Sequence, residues 1–401
     1  MNNKVAAQEK FTLSGYVKDA NNGETLLGAY VYVLHNTTQG TSTNTYGFYS
    51  LTLPKGSYTI EVSFVGYENL QEKIVLEANK SLSFNLKPSD VMMNDLVVVA
   101  KRKDEQLKST DMGKIDLPIE TLKDIPALMG EVDIIRTLQL LPGVMSAGEL
   151  NSGLYVRGGG PDQNLVLLDE AVVYNTGHLF GFFSVFNADA LKNTTLHKGS
   201  MPAQYGGRLS SVLDVSMKDG NNQHFEGQGG IGLISSRITL QGPIQKNKSS
   251  FIIAARRTYA DVLAKPFIKN TKYEGNGYFF YDINAKANYQ FSDKDRLFVS
   301  AYFGRDVFTY KSPDGFLIDM PWGNATTTLR WNHVFNSQLF MNATAIYNDY
   351  NFEFKGTFND FTAKFFSGVQ DWNAKLDFDY FPHPNHIVKF GVNYTYHTFT
   401  P

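Results

Sequence analysis

The chain has 401 residues, enough for two or three domains, and its net charge of −2 excludes a general nucleic-acid binder. It contains no cysteine, which excludes disulfides and thiolate metal sites. A mean hydropathy of −0.26, with no run near the roughly 18 apolar residues that a membrane helix needs, excludes a helical membrane protein. A β-barrel stays open, because its strands need only one apolar face.

At the N-terminus, Val5-Ala6-Ala7 fits the small-residue end of a signal peptide, but no apolar stretch precedes it. A polar tail fits equally well. Residues 9–88 alternate or are β-branched in short stretches: Phe11 to Val17, Ala29 to Val33, Gly47 to Leu51 and Tyr58 to Val62. Turns such as Asn21-Asn22-Gly23 separate them, so this segment is expected to be a β-sandwich of roughly seven strands.

Residues 89–108 are expected to be a linker around one apolar run, Leu96-Val97-Val98-Val99, flanked by Asp95 and Ala100 and followed by Lys101-Arg102-Lys103. Such a strand cannot bury itself alone. It either joins the edge of a partner's sheet or ends the sandwich before it.

Residues 109–220 read as mixed α and β. Ile134, Leu138 and Leu141 share a helical face from Glu131 to Leu141, and Pro142-Gly143 stops the helix. The Gly-rich stretch Arg157-Gly158-Gly159-Gly160 lacks the following Lys-Ser/Thr of a phosphate loop, so its glycines are expected to serve tight turns. The run Asn164 to Leu168 is followed by Asp169-Glu170 and then Ala171 to Tyr174. A two-residue hairpin favours Asp-Gly at the turn, so Glu170 weakens that expectation.

From 221 the pattern changes. Ile283, Ala285, Ala287, Tyr289 and Phe291 alternate with Asp282, Asn284, Lys286, Asn288 and Gln290. Trp372 to Tyr380 and Val388 to Tyr396 alternate in the same way. Tight turns at 292–295, 336–338 and 382–385 take turns with long connections around 260–277, 306–322 and 351–368. A soluble sandwich also alternates, but this two-ended asymmetry is that of an outer-membrane barrel with long outward loops. Tyr289, Phe291, Tyr394 and Tyr396 are the expected interfacial aromatics. The count is roughly nine strands, against about 22 for a plugged transporter, so a curved partial wall is expected.

Several motifs carry a resemblance. Asn44-Thr45-Tyr46-Gly47-Phe48-Tyr49, Leu53 to Tyr58 and Val65-Gly66-Tyr67 resemble the carboxypeptidase-regulatory-like (transthyretin-like) domain. Asp95 to Ala100 (Asp95, Leu96, Val97, Val98, Val99, Ala100) resembles a TonB box. Asp133 to Val144, Tyr155 to Asp169 and Lys198 to Val215 resemble, in order, the plug of TonB-dependent outer-membrane receptors of the Bacteroidota type. The resemblance implies a mainly β chain: a small β-sandwich, an α+β plug domain, then a partial antiparallel transmembrane β-barrel in the outer membrane of a Gram-negative bacterium.

It further implies active import of a scarce solute (a siderophore, cofactor or oligosaccharide), with the TonB-ExbB-ExbD complex, outer-membrane lipid and in some receptors a surface lipoprotein as partners. No cofactor, metal or nucleic acid is implied. A ligand-sensing or adhesion receptor without transport is the alternative. A zinc carboxypeptidase needs His-x-x-Glu, and His224 with Glu226 has the wrong spacing, so no catalytic residues are expected.

The resemblance also implies a plug lock of Arg157, Gly158, Gly159, Asp169, Gln204 and Arg208. A second Arg stands just before Tyr-Gly in the family, where this chain has Gln204, and Arg208 is the substitute. The family's wall carboxylates come later than Pro401. Arg157 is therefore expected to meet no carboxylate from 221–401, with Asp169 its nearest partner.

Overall fold

The computed structural model describes residues 9–89, 113–119, 131–146, 148, 153–383 and 386–401. The box-like residues Asp95 to Ala100 lie outside them.

The first unit comprises β1 (Lys10–Asp19), β2 (Tyr30–Val33), β3 (Asn36–Ser42), β4 (Phe48–Pro54), β5 (Gly56–Ser63), β6 (Leu70–Leu76), β7 (Lys80–Ser81) and β8 (Phe84–Leu86). One sheet runs β4-β1-β7 with β8 also on β1, and the other runs β3-β2-β5-β6. Leu13, Val31, Tyr49, Leu51, Ile60, Val62, Leu76 and Phe84 close the core between them. The alternation seen in the sequence thus yields a two-layer sandwich, with each strand's apolar face turned inward.

The second unit comprises β9 (Lys114–Pro118), α1 (Ile134–Leu138), β10 (Val144–Met145), β11 (Tyr155–Val156), β12 (Asn164–Leu168), β13 (Ala171–Val172), β14 (Gly177–His178), β15 (Phe183–Ser184), β16 (Leu191–Lys198) and β17 (Ser211–Met217). Its main sheet has the order β13-β12-β17-β16-β9, with β12 and β17 parallel. The helix is shorter than its periodicity suggests. Asp133 caps it by accepting from the Arg136 amide, Ile134 and Leu138 are fully buried, and Gly143 turns the chain at φ +77°.

The third unit is one antiparallel sheet of nine strands in sequence order. These are β18 (Glu226–Ile231), β19 (Ser235–Gln245), β20 (Ser249–Thr258), β21 (Gly277–Gln290), β22 (Asp295–Lys311), β23 (Leu317–Asn336), β24 (Leu339–Phe358), β25 (Phe361–His383) and β26 (His386–Thr400). The sheet curves around the second unit and buries its polar face. Asp282, Asn284 and Lys286 are at most 5% exposed, while the alternating Ile283 is 43% exposed. Arg330 and Asn332 are buried where Leu329 and Trp331 are exposed. A soluble sandwich would do the reverse, so this is the wall of a membrane barrel.

Two of the three long connections are corrected. Between β20 and β21 a long segment does carry a helix, α2 (Ala260–Ile268). At 306–322 the strands continue to Lys311 and resume at Leu317. At 351–368 only Asn359-Asp360 interrupts them, with Asn359 at φ +50°. Alternation persists there, so pairing persists: Phe352 faces Ser367 and Phe354 faces Phe365. Strands β23 to β25 reach 20, 20 and 23 residues, about twice what a bilayer needs, so they project beyond it.

The outward face yields a prediction. Leu329→Arg places a charge against lipid and should cost about 2–4 kcal/mol near the bilayer midplane. The urea midpoint for folding into lipid vesicles reads the loss, and no shift would mean that Leu329 does not face lipid.

Candidate functional site: the plug–wall interface

The hairpin that Glu170 argued against does form. Leu168 faces Ala171, and Asp169 (φ +47°) and Glu170 (φ +74°) make a two-residue turn in the left-handed region. Neither residue is glycine, so the turn carries backbone strain. What offsets it lies on the wall.

Asp169 Oδ2 stands 3.1 Å from Lys286 Nζ, and Lys286 also reaches Asp219 Oδ1 at 2.9 Å. Asp169 Oδ1 accepts from the Met217 amide at 2.9 Å, and the Asp169 carbonyl accepts from Arg330 Nη2 at 3.1 Å. Glu170 Oε1 lies 3.0 Å from Arg330 Nε, and Oε2 lies 3.5 Å from Lys375 Nζ. Asn342 and Thr344 donate to Glu170 at 3.1 and 3.2 Å, and Tyr46 of the sandwich donates at 2.7 Å. Burial alone would raise the Glu170 carboxyl, but Arg330 and Lys375 overcome it and hold the group down at about 2.

A second cluster forms around β14. His178 Nδ1 is 2.7 Å from Asp306 Oδ2, and Nε2 is 3.3 Å from Asp282 Oδ2. Arg256 Nη2 sits 2.8 Å from Asp282, and Nη1 reaches Glu131 at 3.4 Å. The His178 ring stacks on Phe280 at 4.0 Å. Tyr278 donates to Asp306, and Ser235 donates to Glu131. Burial opposes protonation of His178, yet the flanking Asp306 and Asp282 raise its pKa above the ordinary value.

The expected lock residues do not come together as one cluster. Among the described residues no carboxylate lies within salt-bridge distance of Arg157. Asp169, its expected nearest partner, pairs with Lys286 instead. Arg157 follows β11 and lies by Gly199 near the Asn164 end of β12, whereas Asp169 follows the Leu168 end. Arg157 and Gly158 form their own left-handed turn at φ +49° and +87°. The Arg157 guanidinium lies over Gly199, where a Cβ would stand 2.5 Å from Nη1. Gly159 packs so closely on Ser210 that a Cβ there would lie 2.4 Å from the Ser210 Cβ. Arg208 Nη1 donates to the Gly207 carbonyl at 2.8 Å, and Gln204 is exposed beside Tyr205. The wall cations were missed as partners, although Lys286 and Lys375 stand on the polar side of the alternation. Their pairing depends on which plug turn arrives opposite them.

A plug filling a wall whose polar face is buried is the architecture of plugged outer-membrane barrels. Comparison with known proteins agrees with it. Residues 13–98 match the model of the CarboxypepD_reg-like domain, and residues 120–211 match that of the TonB-dependent receptor plug domain. The plug thus matches the plug domain of TonB-dependent receptors, and the wall has the fold of part of an outer-membrane barrel.

Solved structures share the fold. A mutant of the ferric enterobactin receptor PfeA from Pseudomonas aeruginosa aligns at TM-score 0.54 and 15% identity, over 74% of this chain and 50% of that one. The siderophore receptor PirA from Acinetobacter baumannii gives 0.54 and 16%, over 74% and 49%. The outer membrane transporter YddB from Escherichia coli gives 0.55 and 14%, over 71% and 48%. The chain spans about half the length of these structures. None of the curated protein sequences matches it.

Two predictions follow from the acidic turn and the His178 cluster. Glu170→Gln keeps the shape but leaves Arg330 short of a buried counter-charge, at about 3–5 kcal/mol, while Lys375 keeps Asp377 at 2.9 Å. Glu170→Gly loses the same charge and also strands the Asn342, Thr344 and Tyr46 donors, which outweighs the relief of the positive φ, and should be more damaging by about 1 kcal/mol or more. Hydrogen exchange of the β12–β13 amides reads both, and equal protection to the native chain would mean that the pairs hold nothing.

The pH dependence has two limbs. Glu170 has a depressed pKa, so its contribution is present above its ordinary 4.5 and is lost as pH falls toward 2. His178 has a raised pKa, so its contribution is full below its ordinary 6.5 and is lost as pH rises through the raised value. Plug seating should be firmest between those two ordinary values. Ion conductance in planar bilayers should rise on either side, and a flat profile would exclude both groups.

Proposed function

We propose that the chain belongs to a receptor that imports a scarce solute across the outer membrane, with the plug as gate. One observation carries this reading: ion pairs and hydrogen bonds from the Asp169-Glu170 turn and from His178 hold the plug to the wall. A polar interface can be parted and rewetted without exposing apolar surface, whereas a packed aliphatic one cannot. The plug is therefore built to be removable.

The solute is proposed from the class that similar structures handle by name: ferric enterobactin, siderophores and copper. A cofactor or oligosaccharide fits the same gate. The energising partner is proposed to be TonB with ExbB-ExbD, adding a strand to Leu96-Val97-Val98-Val99. That mode needs only backbone hydrogen bonds and alternate side-chain pockets. The match to the regulatory-like domain runs to residue 98 and so overlaps this run. A surface lipoprotein is a further proposed partner. The family is a receptor and transporter class, and no catalytic role is proposed.

Val98→Pro tests the reading, because proline removes a ladder donor and fixes φ. Cells carrying it should bind a ferric siderophore, cobalamin or oligosaccharide probe but no longer accumulate it. Unchanged accumulation would remove Val98 from the energising strand. Binding without accumulation in the native receptor would instead make it a sensor.

A further inference from the structure

Two turns of the sandwich are shaped for something outside it. The first is Asn21-Asn22-Gly23. Gly23 has φ +76°, and a Cβ there would lie 2.2 Å from Asn222 Nδ2. The Asn22 carbonyl accepts from the Asn222 amide at 2.9 Å, and the Ala20 carbonyl accepts from Gln223 Nε2 at 2.8 Å. Glu24 accepts from the Asp219 amide. This turn grips the segment that joins plug to wall.

The second turn is Asn44-Thr45-Tyr46-Gly47-Phe48. Asn44 Oδ1 accepts from the amides of Tyr46 and Phe48 at 3.0 Å each, and Gly47 sits at φ +78°. The turn aims Tyr46 at the plug. Its hydroxyl donates to Glu170, its ring lies under the Arg330 guanidinium at 5.5 Å, and it stacks on Phe340 at 5.4 Å. Phe48 also stacks on Phe340 at 5.4 Å and meets Phe381 at 6.2 Å.

Around this centre Ser50 Oγ donates to the Ser337 carbonyl at 2.7 Å, Asn44 Nδ2 donates to Asp379 at 2.9 Å, and Arg296 lies 5.6 Å over the Tyr16 ring. Tyr16, Phe48, Val334, Phe340 and Phe381 form one buried cluster shared by sandwich and wall. All these wall residues stand toward the end of the strands that carries the β21–β22 and β23–β24 turns. An aromatic centre inside a polar rim is the anatomy of a specific interface.

We infer that the regulatory-like domain is a latch on the mouth of the barrel that carries the β21–β22 and β23–β24 turns, and that Tyr46 couples its docking to the seating of the Asp169-Glu170 plug turn. The coupling is structural and shared. If the domain leaves, Glu170 loses a donor. If the plug turn leaves, the Tyr46 hydroxyl is stranded beside Arg330. Each event therefore favours the other, and by linkage the effect is reciprocal. That release of the domain precedes solute passage rests on the import reading above; the latch itself does not.

The cysteine-free chain allows a direct test. Ser50→Cys with Ser337→Cys, treated with a short bifunctional thiol reagent in outer membranes, should cross-link. Lys73→Cys with Ser337→Cys is the control, since β6 lies in the opposite sheet of the sandwich. Phe340→Ser, altered only on the wall side, and Gly23→Ala, altered only on the domain side, should each lower the cross-link yield about five-fold or more, and should raise cell sensitivity to vancomycin by a similar factor. Closing the cross-link in Glu170→Gln should reverse the vancomycin leak of that variant. Cross-linking no better than the control overturns the docking. Undocking without added leak, or a Glu170→Gln leak indifferent to the closed cross-link, overturns the latch. Neither readout uses solute import, so both stand or fall apart from the transport reading.

Discussion

The structure depends on one constraint: among the described residues most cations on the inner face of the wall are paired with carboxylates, and Arg296, which is not, lies over the Tyr16 and Phe298 rings. Arg256, Lys286, Arg330 and Lys375 face inward on strands β20, β21, β23 and β25, shielded from water by the plug. An isolated buried charge is too costly to keep, so each needs a carboxylate within reach. The plug supplies Asp169, Glu170 and Glu131, the plug–wall junction supplies Asp219, and the wall itself supplies Asp282 to Arg256 and Asp377 to Lys375. This requirement ties the plug to one register against the wall, because sliding the plug along the strands would part each carboxylate from its cation.

The same constraint accounts for the strained turn. Asp-Gly would make the β12–β13 turn with less strain. Glu170 instead carries a carboxylate that accepts from two cations, a phenol, an amide and a hydroxyl. The strain of a non-glycine residue at φ +74° is small beside the loss of a buried pair. Strain and function coincide at one residue, and this makes the turn readable as the plug's keyed contact rather than a loop of convenience.

Tyr46 extends the network into a third unit. Sandwich, plug and wall meet at Glu170, so the N-terminal domain belongs to the same contact network. Its contact with the wall is aromatic, while the plug's contact is ionic. The two interfaces therefore differ in what loosens them: the ionic one responds to protonation and water, and the aromatic one to loss of apolar surface.

The sequence by itself determined the three units, the alternation of the wall strands and the order of the plug motifs. These depend on local periodicity and short-range turn chemistry, and a two-residue period shows without any partner in view. It also placed Lys286 and Lys375 on the polar side of their strands. It could not tell that Asp169 would meet Lys286 rather than Arg157. Those pairings join residues more than a hundred positions apart across three units. Only the tertiary structure decided them, because charge pairing depends on which turn arrives opposite which strand. The Glu170 hairpin was weakened in the sequence for the same reason: its local cost was visible there, but the wall charges that offset it were visible only once the fold had closed around them.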